Sequence, residues 1–509
     1  MSGFDTMPDK DMFTSCFVSD DVKDVATFNS NNERLNSIFK LYYYAQRSNM
    51  VGNYTDCPQR EKQGWTGDAS VTKKASSIIF NDYTTAESFM RTMYLNIFDD
   101  GRPSCIVPHI STDKALYEEY DIPWSSAYFT FPYFTYMQTG DPYYLEMAYP
   151  YLIDVFEYYK KDIEYNRYGD WLGYDNHEGL LDRSALTASY FYYCGTLLSE
   201  MAEIIGVDHT ELDEYLESTQ DFLWSKYFKE TYFSTNTQTA NAMALDFKLV
   251  PDEIVHTIRN GLREKVKEDG YTLRTGVLGT YSLYNAMSMA RMHKELMDIT
   301  LNDKKCSFGY MLDNGATTMW EYWDKAGGTF NSNLSPDRFA GWDSQNHCMM
   351  GGGLVNWIFE GLGGIVNYKE GYKEIWVRPG VESGLERVNT SIETLRGTIV
   401  TTWTQKAGTL NLDVTVPANC RAYIVIPFSD ARTITESGKN ILGKDGKDIK
   451  YVGRVKGEGY VYLVGSGTYK FVASDKESWI PKVIIILLFV IFGVALYFVK
   501  KDKKRVKGN

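Results

Sequence analysis

Between positions 56 and 68 the chain reads Asp-Cys-Pro-Gln-Arg-Glu-Lys-Gln-Gly-Trp-Thr-Gly-Asp. The carboxylates of Asp56, Glu61 and Asp68 therefore fall beside Arg60 and Trp65. Pro58, Gly64 and Gly67 mark the stretch as a loop rather than a helix interior. Asp68 is expected to cap a following helix that carries Val71, Ala75, Ile78 and Ile79. One acid alone would read as such a cap with surface charges around it, whereas three acids and a tryptophan in a glycine-permitted loop point to a reactive site. A second cluster runs from Asn314 to Asp324, with Glu321 set among Trp320, Tyr322 and Trp323. A carboxylate against aromatic rings loses solvation and its pKa rises, which suits proton transfer near neutral pH. The plainer use of Glu321 would be to bridge helices near a tryptophan core. Asp343 and His347 follow in Trp-Asp-Ser-Gln-Asn-His. A lone histidine is ordinarily a structural hydrogen-bonder, and no histidine pair here has metal-ligand spacing.

Two separate carboxyl groups, many tryptophans and no cofactor motif are the components of a glycoside hydrolase. One acid protonates the leaving oxygen, and a second carboxylate activates water or attacks the anomeric carbon. Exposed aromatic faces stack on the apolar faces of sugar rings, a use for the 15% aromatic content. Walker A, Gly-x-Gly-x-x-Gly, His-Glu-x-x-His and Gly-x-Ser-x-Gly patterns are all absent, so no nucleotide, zinc-protease or esterase chemistry has a motif behind it. No cofactor and no metal are expected. A net charge of −13 argues against nucleic acid as a partner, because phosphate binding needs a basic face. The seven cysteines of the 509 residues are too sparse for a disulfide-stapled module and contain no Cys-x-x-Cys pair.

The elements that must hold these residues change character along the chain. From about 31 to 365 apolar stripes recur at helical spacing: Leu35, Ile38, Phe39, Tyr42; Leu152, Val155, Phe156, Tyr159; Leu212, Tyr215, Leu216, Leu223; Ile254, Ile258, Leu262. About a dozen helices joined by turns suggest stacked helical hairpins, and the lack of a short repeat disfavours a solenoid. Near 365 the period becomes alternating, as in Leu410, Leu412, Val414, Val416 and in Ala422, Ile424, Ile426. Residues 366–476 are therefore predicted to be an all-β sandwich. Residues 1–30 are expected to be the remnant of an upstream β region.

The last thirty residues differ from all of this. Val483 to Val499 carries no charge, and the stretch 480–499 has about the length that a bilayer-spanning helix needs. Trp479 and Tyr497 could sit at the two interfaces. The tail 500–509 is basic, which places it in the cytoplasm and the bulk of the chain outside, with a membrane as partner. The sequons at Asn53, Asn333 and Asn389 fit that side. The sequence opens without an apolar leader stretch, so this topology implies a signal upstream; the other topology is a tail-anchored protein facing the cytosol.

The two acid clusters resemble those of the α-L-rhamnosidases of glycoside hydrolase family 78. The block at 56–68 is similar to the family's general-acid motif, and Gly315 to Asp324 is similar to the segment bearing its general base. Asn346-His347, Tyr168-Gly-Asp-Trp171, Gln238-Thr-Ala-Asn241 and Thr275-Gly-Val-Leu-Gly-Thr280 match further blocks in the family's order. The resemblance runs from about residue 13 to 475. It implies a multidomain chain with an (α/α)6 toroid over 31–365 and a β-sandwich over 366–476. It also implies an inverting hydrolysis of terminal α-L-rhamnosyl residues, on a rhamnose-containing glycoside or polysaccharide. By motif, Glu61 would be the general acid and Glu321 the general base. Asp56, Arg60, Asp68 and His347 would hold sugar hydroxyls, and Trp65, Trp124 and Trp171 would wall the subsite.

Two departures from the family stand out. Ser126 occupies a position in Trp124-Ser-Ser-Ala127 where the family usually has an acid, and the family's β-domains ahead of the toroid are missing. The first leaves open a glycosidase for another sugar. The second, with the anchor, leaves open a membrane-anchored rhamnose-binding lectin without turnover.

Overall fold

The structure, a computed structural model, describes residues 22–108, 120–323 and 344–475. Six helices close into a ring. Thr66–Ile79 packs on Ala127–Thr139, and the chain of contacts continues through Arg183–Ile205, Gln238–Asp246 and Val277–Met289 to Gly352–Asn356, which returns to Thr66–Ile79. Outside the ring lie Glu33–Ser48, Tyr83–Leu95, Tyr143–Tyr159, Thr210–Tyr227, Asp252–Glu268, and the pair His293–Thr300 and Phe308–Asp313. Each inner helix is thus joined to an outer neighbour in a hairpin, as the helical stripes lead one to expect.

Burial separates the two layers. In Asp252–Glu268 only Ile258, Leu262 and Val266 are buried, one stripe on an otherwise solvated helix. In Thr66–Ile79 every residue except Lys74 is buried. That inner helix can be buried on all sides because its polar residues are small and satisfied: Ser70 Oγ bonds Ser126 Oγ at 2.7 Å, and Thr72 Oγ1 donates to the Asp68 carbonyl at 2.9 Å. Its one buried lysine, Lys73, meets the Asp82 carboxylate at 3.0 Å with both side chains fully buried.

The helices of the toroid end at Leu362, and the first strand of the β region is Ile365–Lys369. Two sheets follow. In one, hydrogen-bonded neighbours run Lys439–Asn440, Ala431–Glu436, Gly467–Asp475, Thr409–Val416, Gly397–Lys406, Arg387–Thr394 and Ala26–Ser30. In the other they run Ile449–Val455, Gly459–Val464, Arg421–Ile426, Glu374–Val377 and Ile365–Lys369. The alternation in Thr409–Val416 is realised: Leu410, Leu412, Val414 and Val416 are buried between exposed or half-buried neighbours. Tyr462 of the second sheet meets Phe471 of the first with ring centroids 6.1 Å apart.

Of residues 1–30 only 22–30 are described, and these are built into the rest of the fold. From residue 22 onward, Lys23–Asp24 pairs with Phe80–Asn81, and Ala26–Ser30 pairs antiparallel with Arg387–Thr394, forming the edge of the larger C-terminal sheet. Among the described residues no helix is long and apolar enough to cross a membrane. The expected spanning segment 480–499, the tail 500–509, the sequon at Asn333 and the acids Asp324 and Asp343 lie outside those residues.

Candidate active site

The loop bearing Asp56 and Glu61 is braced within itself. Asp56 Oδ1 accepts from the Gln63 N–H at 2.9 Å, and Oδ2 accepts from the Cys57 thiol, also at 2.9 Å. The same sulfur accepts the Glu61 N–H at 3.3 Å. The loop's end is held by a short antiparallel bridge, Thr66 N–H to the Cys105 carbonyl and Val107 N–H to the Gly64 carbonyl, each 2.9 Å. A Cβ on Gly64 would lie 2.0 Å from the Val107 carbonyl oxygen, so the bridge requires glycine there. Contrary to expectation, Asp68 does not cap the following helix. The helix begins at Thr66 after Trp65, and Asp68, one turn in, turns its carboxylate to His347 Nε2 at 2.7 Å.

Glu321 arrives from the other end of the sequence. Its N–H donates to the Ser344 carbonyl at 2.8 Å, and the His347 N–H donates to the Met319 carbonyl at 2.9 Å, so Glu321 and His347 are carried on two segments hydrogen-bonded to each other. Gln59 Nε2 donates to Ser344 Oγ at 2.7 Å, tying the acid-bearing loop to the second segment. Arg60 Nη2, 261 positions from Glu321, donates to Glu321 Oε2 at 3.0 Å and to Glu61 Oε1 at 2.8 Å. One nitrogen thus bridges the two carboxylates. Their bridged oxygens stand closer than the separation of about 6.5–9.5 Å usual for an inverting pair, and the guanidinium fills the gap where such a pair holds water. The Glu61 side chain is 34% exposed and that of Glu321 only 7%, so one acid faces the mouth and the other the floor.

The charges around Glu321 set its protonation. Burial raises its pKa, while His347, the Ser344 N–H and Arg60 oppose the rise. Burial alone would depress His347, but its bond to Asp68 and the nearby carboxylates outweigh that and raise its pKa. His347 Nδ1 lies 3.9 Å from Glu321 Oε2, so a protonated His347 places positive charge beside that carboxylate. Asp56 is pushed up to about 6, by burial first and by Asp68 second.

An aromatic wall completes the site around Tyr168. Its ring centroid lies 5.0 Å from Trp124, 6.0 Å from Trp65 and 6.4 Å from Trp171. Two buried aspartates anchor this wall. Asp121 accepts from the Trp124 N–H at 3.0 Å with one oxygen, and from the Arg167 and Tyr168 N–H groups at 2.9 and 3.2 Å with the other. Asp170 accepts from Thr239 Oγ1 at 2.7 Å and from the N–H groups of Gly276, Leu278 and Gly279 at 2.8, 3.0 and 3.0 Å. Three sequence blocks that match the family are therefore joined at one carboxylate, directly beside Trp171. On the helix opposite, a Cβ on Gly67 would lie 2.4 Å from the Trp124 ring.

A cavity of about 180 Å³ is lined by Asp56, Arg60, Glu61, Trp65, Asp68, Trp124, Trp171, Glu321 and His347, all nine of the expected residues. Tyr168 and Met349 line it as well. Tyr168 sits inside a quoted block, where its ring was open to notice; Met349 had no distinguishing signal. Ser126 is fully buried in the helix layer, bonded to Ser70, and is not among the lining residues. Asp56, Cys57 and His347 bring possible ligand atoms within 4.8 Å of one another. The Cys57 thiol donates to Asp56 and His347 Nε2 is bonded to Asp68, while His347 Nδ1 has no hydrogen-bond partner among the described residues; burial raises the Cys57 thiol pKa, which works against the thiolate a metal needs.

Six helical hairpins closed around an acid-bearing mouth make this a six-hairpin glycosidase fold. Residues 23–362 match the bacterial α-L-rhamnosidase six-hairpin glycosidase domain, and residues 364–440 the bacterial α-L-rhamnosidase C-terminal domain; the chain belongs to this family. It is 28% identical over 498 residues to an α-L-rhamnosidase of Formosa agariphila, covering 93% of this chain and 51% of that protein. The structure of an α-L-rhamnosidase from Dictyoglumus thermophilum superposes with a TM-score of 0.79 at 25% identity, covering 89% of this chain and 51% of the other. That of a Streptomyces avermitilis α-L-rhamnosidase complexed with L-rhamnose gives 0.78 at 24% identity, over 89% and 42%. The chain spans about half the length of the curated relatives it matches.

Proposed function

We propose that this chain hydrolyses terminal α-L-rhamnosyl residues with inversion, Glu61 acting as general acid and Glu321 as general base. The observation that carries the reading of an acid–base pair is the meeting of these two carboxylates, brought from distant segments into one aromatic-walled cavity; inversion rests on the family resemblance, and it requires the Arg60 guanidinium to leave the gap between them so that water can enter. The membership of the family and the α-L-rhamnosidase names of its relatives support the choice of sugar. Glu321 takes a proton from water as the water oxygen bonds to the anomeric carbon. The bond from that carbon to the leaving oxygen breaks, and Glu61 delivers its proton to that oxygen. Asp56 and Asp68 accept from sugar hydroxyls while Arg60 donates, a pattern suited to vicinal hydroxyls. The ring of Trp65, Trp124 and Trp171 offers an apolar wall to the sugar's methyl group. Hydrolysis of a 4-nitrophenyl α-L-rhamnoside, with the corresponding α-D-mannoside and β-D-glucoside left intact, is the expected result. No release from the rhamnoside by the folded chain would overturn the reading. Because Ser126 does not reach the cavity, it gives no reason to favour another sugar.

For location, the reading is that 480–499 spans a membrane once, with 500–509 cytoplasmic and the catalytic region outside. Its support is the uncharged run and the basic tail. In sealed vesicles of native orientation a C-terminal tag should resist external protease while the catalytic region is digested. The reverse pattern contradicts it.

A further inference from the structure

A cavity of about 410 Å³, more than twice the volume of the catalytic one, lies at the other end of the ring. Every inner helix contributes to it: Lys74, Tyr133, Tyr193, Asp246, Asn285 and Asn356 each come from a different one. It is therefore axial. The catalytic residues precede or begin the inner helices, whereas these lie in their later turns. On Thr66–Ile79 the step from Asp68 to Lys74 is six residues, about 9 Å of helix. Val366 and Arg378 of the β region close the far side. No residue lines both cavities.

The lining combines two chemistries. Lys74 Nζ meets Glu360 Oε2 at 2.7 Å. Asn356 Nδ2 donates to Asn285 Oδ1 at 3.1 Å, and Asn285 Nδ2 reaches Asp246 Oδ2 at 3.4 Å. Asn356 is 1% exposed, yet its Oδ1 accepts no hydrogen bond among the described residues, an unspent acceptor in a built site. The arginines present are already neutralised, Arg291 by Glu382 and Arg378 by Glu458. Burial pushes Asp246 up to about 7, so near neutral pH it both donates and accepts. Against these polar groups stand the rings of Tyr133, Phe134 and Trp357.

We infer that this axial cavity is a second saccharide-binding site, taking one or two neutral pyranose units. Lys74, Arg291 and Arg378 are each paired with a carboxylate and the further lining cation, Lys248, is exposed to solvent, so a buried anion finds little unspent charge; interleaved donors and acceptors suit hydroxyls, and the rings suit the apolar face of a sugar. The inference does not depend on which glycoside the catalytic cavity cleaves, since none of its residues is shared.

The test is titration calorimetry of the full chain with L-rhamnose and a set of neutral mono- and disaccharides, alongside crystals soaked in the sugar that binds. The expected result is a binding event that Asp246→Ala weakens by about tenfold or more, the loss of a hydrogen bond to a charged group. Met289→Trp, at a half-exposed lining position, should block the same event without removing a buried group. Both variants should hydrolyse the aryl rhamnoside at the parent rate. Binding untouched by either variant, or only water in the axial cavity of soaked crystals, overturns the inference. If Asp246→Ala does not fold, Met289→Trp decides alone. Failure of rhamnoside hydrolysis contradicts the catalytic reading and leaves this one standing.

Discussion

Glu61 and Glu321 differ in setting: one is half-open at the mouth, the other buried between His347, Arg60 and the Ser344 N–H, whose charges oppose the rise that burial imposes on it. Glu61→Gln and Glu321→Gln should each lower kcat by about a hundredfold to ten-thousandfold, the usual size of acid–base contributions. Thermal unfolding should show both variants folded. Asp56 makes a separate prediction. Its pKa rises from 3.8 in the unfolded chain to about 6 in the fold, so the folded state binds the proton more tightly. Its favourable contribution is complete below the lower value and is lost as pH rises through the higher one. The Tm of the parent should therefore fall relative to Asp56→Asn between pH 3.8 and about 6; parallel curves would show that Asp56 is not perturbed. At this scale the sequence was most readable. All nine expected residues meet in one cavity: the acids, Arg60 and Trp65 of the 56–68 loop stood out by their clustering, whereas Trp124, Trp171 and the sugar-binding role of His347 came from the family resemblance. What it concealed was partnership: Asp68 looked like a cap and is the partner of His347 across the site.

Among the elements, the wall of the cavity depends on supports that never touch it. Asp170 satisfies four donors while buried, and Asp170→Ala would strand them. A loss of about 3 kcal/mol or more is expected in urea unfolding, since each buried unsatisfied group costs about 1–3 kcal/mol. Gly67 faces the Trp124 ring at contact distance, so Gly67→Ala must displace the indole. A fall in kcat/KM of roughly tenfold to a hundredfold is expected from such a misplacement, with little change in Tm. The helices themselves were unevenly legible. All four apolar stripes found in the sequence belong to outer helices, which have a wet face to contrast with a dry one. Inner helices such as Thr66–Ile79 are buried all round, and their serines and threonines bond to one another, so no stripe exists to be read.

For the whole molecule, the strand Ala26–Ser30 matters beyond its length. It leads from the edge of the C-terminal sheet into the outer helix Glu33–Ser48, joining both regions through one short segment. Trp403 Nε1 reinforces the junction, donating to the Leu362 carbonyl at 2.8 Å. Removal of residues through Ser30 should therefore lower the Tm of helical and β regions together, read as one shifted transition by circular dichroism. This coupling was hidden because a single strand carries no mark of a partner more than 350 residues away. The domain order, by contrast, was plain in the switch from helical to alternating periodicity near residue 365. The proposed function rests at this scale on two carboxylates acting on opposite sides of one bond, and product stereochemistry tests that directly. Proton NMR of the earliest product from an aryl α-L-rhamnoside should show β-L-rhamnose, with the α anomer appearing only by mutarotation. α-L-Rhamnose as the first product would contradict the inverting assignment of Glu61 and Glu321.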